Sequence, residues 1–408
     1  MLLASDMRPA FETDAAQMLA EASRAGVGIE IAGSGSKAVI GRPSNTSHRL
    51  STRMMKGISL YEPSEMVMSA RAGTPVAEVM GQIAKSGQML AFEPSEYAGV
   101  LGTDAAAATI GSVFAMNASG PRRVFAGAAR DHLIGIKAVS GTGEVFKSGG
   151  RVMKNVTGYD LVKGIAGSWG TLALLTEVTF KVVPMPRAAT TIVLLGLIDE
   201  IAIEALCMAM GTPFEVSGAL HLQQSLAVTL DHSVVRAQGK AITALRIEGP
   251  PASLLARRDA LARRLTPYGK VHDLDTDNSL AFWDEIRRLG FFGETSAQVW
   301  RISTTPTKGP RVVEALQRYM PTRAFYDWSG GLVWAEVAAS ADAGAADIRR
   351  VVATHGGHAT LMRAEPSVRA AVDVFQPLDP GVLKLSQRIK SALDPAGVLN
   401  PGRMTTAF

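Results

Sequence analysis

The chain has 408 residues, more than one hydrophobic core usually spans, so two or more domains are expected. Hydrophobic residues make up 47% and charged residues 19%, which is ordinary globular composition, and the single cysteine, Cys207, excludes a disulfide framework or a thiolate-held iron–sulfur cluster within this chain. The net charge of +5 sits on scattered arginine pairs (Arg257 with Arg258, Arg263 with Arg264, Arg287 with Arg288, Arg349 with Arg350) without interleaved aromatics, a pattern of solvated helix faces or of a face for an acidic protein partner, not of nucleic-acid binding.

Residues 1–11 carry Asp6 and Arg8 behind a three-residue apolar opening, too short for a secretory signal, so a cytoplasmic protein is expected. Met18, Leu19 and Ala22 at helical spacing predict a helix over 11–25 that stops at Gly26. A short strand over 28–32 runs into the glycine-serine turn 33–37. Strands are expected over 58–61 and 66–70. A helix over 75–86 follows, with Val76, Val79, Met80 and Ile83 on one face, Pro75 at its start and Gly87 at its end. The Ala-rich stretch 105–118 is interrupted by Thr109, Ser112 and Asn117 and does not read as a membrane span. Residues 133–147 form a hairpin pattern about Gly141 and Gly143, and 172–183 reads as one long buried strand.

Pro184 and Pro186 mark the expected end of a first domain, 1–186. Beyond it, short strands over 190–195, 219–222 and 242–247 alternate with helices over 251–265, 277–289, 310–319 and 345–355. This is the texture of an α+β cap domain, 187–375, with an antiparallel sheet and helices on one side. A C-terminal segment, 376–408, adds an amphipathic helix and a compact turn.

Four glycine-rich turns in the first domain share one chemistry. Gly33, Ser34, Gly35, Ser36 and Lys37 lack bulk, so their backbone N–H groups can face one concavity and form a nest for a pyrophosphate, with serine hydroxyls and the lysine charge in support. Thr109, Ile110, Gly111 and Ser112, leading to Ala115, Asn117 and Gly120, would let the chain lie flush against a flat ring or pack against a helix. Gly149 and Gly150 precede the hydrogen-bonding run Lys154, Asn155, Val156, Thr157, Gly158, Tyr159, Asp160 and Leu161. Gly167, Ser168, Trp169, Gly170, Thr171 and Leu172 enter the long strand.

Taken together these segments resemble the FAD-linked oxidases of the vanillyl-alcohol oxidase (PCMH-type) family, in which an N-x-x-G-Y-D-L run precedes G-S-x-G-T-L. Gly87 to Leu90, Phe92 to Pro94, Ser119 to Arg123, Arg130 with Asp131, and Val152 to Val156 look like its glycolate oxidase E-subunit branch. The run from Asp394 to Gly402 is similar to the closing signature of FAD-linked oxidases. The resemblance implies a two-subdomain FAD-binding fold and non-covalently held FAD, because the pyrophosphate turn carries no histidine. It implies that Gly33 to Lys37 grip the pyrophosphate and that Thr109, Gly111, Ser112 and Ala115 line the ring and its ribityl chain, with Gly102, Thr103, Ile110, Asn117 and Gly120 also among the cofactor-binding residues. Arg130 and Asp131 would shape the cavity wall, Gly167, Ser168, Gly170 and Thr171 would close over the phosphates, and Leu174 and Leu175 would meet the adenine. Ser112 and Ala173 stand where most relatives carry glycine, and Trp169 where an acid is common.

Oxidising a 2-hydroxy acid also needs a base and a cation for the carboxylate. The histidine-rich, metal-holding motif of the catalytic relatives is not found. His355 and His358 flank two glycines in a non-matching context, and His221, His232 and His272 are isolated, so no catalytic residue is assigned. The resemblance implies an accessory flavin subunit working with a catalytic flavin D subunit and an iron–sulfur F subunit, any membrane association arising through those partners. A self-sufficient FAD-dependent 2-hydroxy-acid dehydrogenase and a non-redox scaffolding subunit remain the alternatives.

Overall fold

The computed structural model describes residues 5–150, 159–293 and 296–408, so Val152 to Gly158, which include part of the third turn singled out above, lie outside the described residues. The opening helix, Glu12–Ala25, buries Ala15, Leu19 and Ala22 along one stripe. It ends where Gly26 adopts a φ of 64°, which lets Val27 N–H donate to Ala22 O at 3.0 Å. The chain then enters strand Ile29–Ala32, which lies parallel to His48–Ser51, itself parallel to the short strand Asp6–Met7.

A second sheet of five antiparallel strands runs in the order Ile58–Glu62, Val67–Arg71, Leu174–Lys181, Leu133–Val139 and Val145–Gly149. The expected long strand, shortened to Leu174–Lys181, is its centre and is buried along most of its length. Helix Val76–Ala84 packs Val79 and Ile83 inward. Short helices at Ile110–Ala115, Arg123–Ala126 and Ala129–His132 precede strand Leu133–Val139, a region where sequence periodicity is too brief to announce a helix.

After Val183 and Pro184 pair with Gln88 and Met89, the chain starts an eight-stranded antiparallel sheet. Its order is Val271–Leu274, Ala188–Leu195, Ile242–Gly249, Val216–Leu222, Thr322–Asp327, Leu332–Val337, Gln298–Ser303 and His358–Arg363. The two faces follow strand alternation. Ile192 and Leu194 join a core with helices Asp199–Met210, Pro251–Leu265, Gly309–Gln317 and Ala345–His355, while Val193 faces the opposite way. That opposite face shares one apolar cluster with the first half of the chain, through Phe92 and Phe114 on one side and Phe325, Leu332 and Trp334 on the other. Each such side chain contributes about 1.5–3 kcal/mol by leaving water. Helix Thr276–Arg288 is the exception to one-sided packing, because it inserts Phe282, Trp283 and Ile286 into this inner cluster.

The seam between the halves is also charged. Arg246 grips Glu93 with two hydrogen bonds of 2.9 and 2.8 Å, and Arg122 pairs with Glu248 beside it. Among the described residues no helix is long and apolar enough to cross a membrane.

The last helix, Pro380–Leu393, returns to the first half of the chain. Its Lys390 ammonium is buried and donates three hydrogen bonds, to Thr171 O (2.7 Å), Asp394 Oδ2 (2.6 Å) and Leu399 O (2.9 Å). Asp394 accepts in turn from the N–H groups of Val398 and Leu399 at 3.0 and 2.8 Å, which folds the closing segment into a turn. That turn adds to the three-stranded sheet, with Ile29 N–H donating to Val398 O at 2.7 Å.

Candidate cofactor site

The edge of the three-stranded sheet, the start of helix Ile110–Ala115 and the loop before strand Leu174–Lys181 converge on one cleft of about 750 Å³, counting its open mouth. Thirteen of the residues singled out from the sequence line it: Gly33, Ser34, Gly35, Ser36, Lys37, Thr109, Gly111, Ser112, Ala115, Ser168, Gly170, Leu174 and Leu175. These come from segments as far as 142 positions apart (175 minus 33), and the fold brings them to one wall-to-wall cavity.

The turn after strand Ile29–Ala32 is held tightly. Gly33 O accepts from the Ser51 hydroxyl, and a Cβ on Gly33 would stand 2.4 Å from Thr109 Oγ1, so any larger residue would force the Thr109 side chain to shift where the first and second turns touch. Gly35 has a φ of 95°, a left-handed geometry that other residues adopt only with strain. The Ser34 hydroxyl donates to Ala107 O and is therefore spent on the protein, not offered to the cavity as the sequence suggested. Lys37 reaches across to Ser112 Oγ at 3.4 Å, and Ser112 in turn donates to Thr109 O at 2.7 Å. Burial lowers the Lys37 ammonium from 10.5 to about 8, against the raising field of Glu96. A partly buried cation whose only hydrogen-bond partner among the described residues is a neutral hydroxyl is a site prepared for an anion.

Two buried hydroxyls reinforce that reading. Thr109 Oγ1 and Ser168 Oγ have no protein partner. Buried polar atoms are rarely left unsatisfied without a ligand or water to serve them.

The loop 167–171 is shaped by three successive features. Gly167 and Gly170 have φ values of 86° and 72°, and Trp169 between them sits at 57°. Asn400 fixes this turn from the far end of the chain: its Nδ2 donates to Trp169 O at 2.8 Å while its Oδ1 accepts from Ile31 N–H at 2.8 Å. Arg403 donates to Lys37 O and Ile40 O, both at 3.1 Å, and lines the cleft. Sequence reasoning passed over Arg403, Glu30, Ile31, Met116 and Ile165, all of which line the same cleft. The one sequence signal for Arg403 was its place directly after the closing run that ends at Gly402.

Nine other residues singled out lie outside the lining, each for a structural reason. Ile110 is wholly buried in the core. Gly102 ends a helical turn at a φ of 63°, and Thr103 faces a small recess of about 180 Å³ that adjoins Ser36 and Lys37. Asn117 uses its side chain to accept from Arg130 N–H at 2.9 Å, and Gly120 lies so close to Glu93 that a Cβ would meet its carbonyl oxygen at 2.0 Å. Arg130 and Asp131 are exposed, 3.8 Å from one another, with Asp131 accepting from Ala128 N–H. Gly167 N–H donates to Phe114 O at 3.1 Å, and the Thr171 hydroxyl donates to Ser168 O at 2.7 Å.

Two of the histidines of the second half, His221 and His232, are engaged with protein groups. His221 is fully buried, its ring nitrogens 2.9 Å from Thr243 Oγ1 and 3.2 Å from Asp199 Oδ1, and Asp199 also accepts from Tyr326 and Gln223. His232 meets Asn278 O at 3.1 Å. Among the described residues no cluster of three or more His, Cys, Asp or Glu is arranged to hold a metal.

Comparison with known proteins agrees with this geometry. A family profile described as an FAD binding domain matches residues 5–149. Glycolate oxidase subunit GlcE of Escherichia coli K12 is 33% identical over 382 residues, 92% of this chain and 92% of that one. Glycolate oxidase subunit GlcD of Bacillus subtilis is 39% identical over 87 residues, 21% of this chain and 18% of that one. The crystal structure of p-cresol methylhydroxylase with substrate bound superposes with a TM-score of 0.71 at 13% identity, covering 98% of this chain and 88% of that one, a likeness of fold. The bare main chain, the orphaned hydroxyls and the unpaired ammonium of the cleft suit a phosphate-bearing flavin nucleotide. The chain belongs to the glycolate oxidase subunit GlcE family of FAD-dependent oxidoreductases, on the PCMH-type FAD-binding fold.

Proposed function

We propose that this chain is the FAD-carrying E subunit of a complex that oxidises glycolate and similar 2-hydroxy acids to 2-oxo acids, together with a flavin-bearing D subunit and an iron–sulfur F subunit. The observation that carries the reading is the cleft in which Lys37, Thr109 and Ser168 present an unpaired charge and two unserved hydroxyls. Similarity to GlcE along nearly the whole length supports the complex, and a single cysteine makes an iron–sulfur partner necessary if electrons leave through such a cluster.

FAD, held without a covalent bond, would supply a two-electron acceptor. Gly33 to Ser36 would offer backbone N–H groups to its pyrophosphate, and Lys37 would balance the charge. Thr109, Gly111, Ser112 and Ala115 would bound the ring, while Leu174 and Leu175 would meet the adenine. Asn400 and Arg403 would hold the loop and the turn in register. We further propose the division 1–186 for the FAD domain, 187–375 for the cap and 376–408 for the returning segment. The Pro186 break lies between the last pairing of the first half and strand Ala188–Leu195, and the hydrogen bonds of Lys390 and Asn400 tie the tail to the FAD half.

The test is to produce the chain with and without a D-type and an F-type subunit, load it with FAD, and add glycolate anaerobically. Bleaching of flavin absorbance only in the assembled complex supports an accessory role. Bleaching in the isolated chain would replace that reading with a self-sufficient dehydrogenase.

A further inference from the structure

The seam between the FAD half and the eight-stranded sheet carries two arginines that form no ion pair among the described residues. Arg123 comes from helix Arg123–Ala126 of the first half, and Arg301 from strand Gln298–Ser303 of the second. Both are mostly buried. Their guanidinium carbons lie 4.2 and 5.1 Å from the centre of one ring, that of Trp328. Their neighbours at the seam are arranged differently: Arg246 is answered by Glu93, Arg122 by Glu248 and Arg363 by Glu336. Among the described residues, neither Arg123 nor Arg301 has a side-chain hydrogen bond or an ion pair.

The platform under them is rigid and strained. Trp328, Ser329 and Gly330 follow one another at φ values of 52°, 61° and 97°, and a non-glycine residue pays for each such conformation. The indole is pinned at both ends of this corner. Its Nε1–H donates to Gly120 O at 3.0 Å, and the Trp328 backbone N–H donates to Asp327 Oδ1 at 2.7 Å. Burial makes Arg123 a poorer cation and the like charge of Arg301 adds to that, against the opposing field of Asp131. The Tyr97 phenol and the His358 imidazole feel the field of both arginines. Stacking on Trp328 offsets part of the repulsion; a bound anion accepting from both guanidinium groups would remove it.

We propose that Arg123 and Arg301, set on Trp328, form a two-armed clamp for the carboxylate of a small organic acid. The identity of the acid, glycolate or a close 2-hydroxy or 2-oxo analogue, rests on the function proposed above. The clamp itself rests on the unpaired guanidinium groups. Arg123 arrives from the FAD half and Arg301 from the sheet, so an acid held here also bridges the two halves.

The experiment uses the full chain loaded with FAD and isothermal titration with oxalate, glycolate and inorganic phosphate at low ionic strength. Oxalate and glycolate are expected to bind the unaltered protein. R123Q and R301Q are each expected to weaken them by about ten- to a hundredfold, the loss of a charge-assisted hydrogen bond. R301K, which keeps the charge, should recover part of the affinity, and a purely structural role would not produce that rescue. FAD content and melting temperature, measured on every variant, identify any that misfold, and R123K serves in place of a misfolded R123Q. Unchanged oxalate and glycolate affinity in folded R123Q and R301Q, or no binding of either acid to the unaltered protein, overturns the clamp. Phosphate binding through these arginines with no carboxylate binding overturns it as well. Oxalate binding that depends on both arginines, in a chain whose assembled complex is never reduced by glycolate, upholds the clamp and removes the 2-hydroxy-acid reading instead.

Discussion

Lys390→Met tests how the tail of the chain supports the cofactor site. The ammonium is 3% exposed and its three donors are all used, on Thr171 O, Leu399 O and Asp394. Burial, the largest cause, lowers its pKa, while the Asp394 carboxylate opposes the shift. Methionine fills a similar volume and offers no donor. Two carbonyls then lose their partner and the Asp394 carboxylate is left buried without its cation. Its hydrogen bonds from Val398 and Leu399 N–H soften that loss, so the cost is placed at the lower end of the ~3–5 kcal/mol typical of breaking a buried pair. In a chain of this length that corresponds to a fall in melting temperature of roughly 3–4 °C. Thr171 belongs to the loop over the cleft, so FAD should be released faster as well. Differential scanning calorimetry and the rate of FAD release after dilution measure the two effects. A double cycle with D394N should give a coupling of about 2 kcal/mol or more. A melting temperature within a degree of the unaltered protein, with unchanged FAD release, would refute the claim that the buried pair fastens the tail to the site.

Three further perturbations address the site and the seam. In K37M, FAD binding should weaken about tenfold near neutral pH. In the unaltered protein the affinity should fall as pH rises through about 8, where Lys37 loses its proton, and K37M should lack that fall; equilibrium fluorescence titration of FAD at several pH values reads both. In G33A, the new methyl group would press on Thr109 Oγ1, separating the first two turns, so FAD retention on gel filtration should drop while the fold, read by circular dichroism, persists. Asp327 is raised from 3.8 to about 7, chiefly by burial, with the hydrogen bond from Trp328 N–H, then Arg246 and Arg301, opposing and Glu93 assisting. The folded state therefore holds this proton more tightly than the unfolded chain, so its contribution to stability declines as pH climbs from about 4 to about 7. D327N should flatten that part of the urea-stability profile, and a profile of unchanged slope would count against the burial argument.

Local signals carried the first half of the fold well. The helix Glu12–Ala25 has its apolar stripe and its stop at Gly26, and Gly33 to Ser36 have no side chain large enough to obscure the purpose of their turn. The eight-stranded sheet was less legible. Its strands Gln298–Ser303, Thr322–Asp327, Leu332–Val337 and His358–Arg363 alternate only partly, because they are buried on both faces, one against helices and the other against the FAD half. Helix Thr276–Arg288 reads as an ordinary amphipathic helix, and nothing in its periodicity says that its Trp283 enters the seam. At the site, glycines and small residues could be nominated because their absence of bulk is itself the signal. Arg403 and the bridging role of Asn400 could not, because their partners Lys37 and Ile31 lie more than 360 positions away and only tertiary pairing reveals them. The unpaired state of Arg123 and Arg301 is equally invisible in sequence, where arginine looks the same with or without a carboxylate beside it.

The most direct measurement is the visible spectrum of the purified full-length chain after incubation with FAD and gel filtration. A yellow protein with flavin near one equivalent, released intact by denaturant, is the predicted result. A protein that stays colourless when well folded, or whose G33A and K37M variants hold FAD as firmly as it does, would contradict the assignment of the cleft.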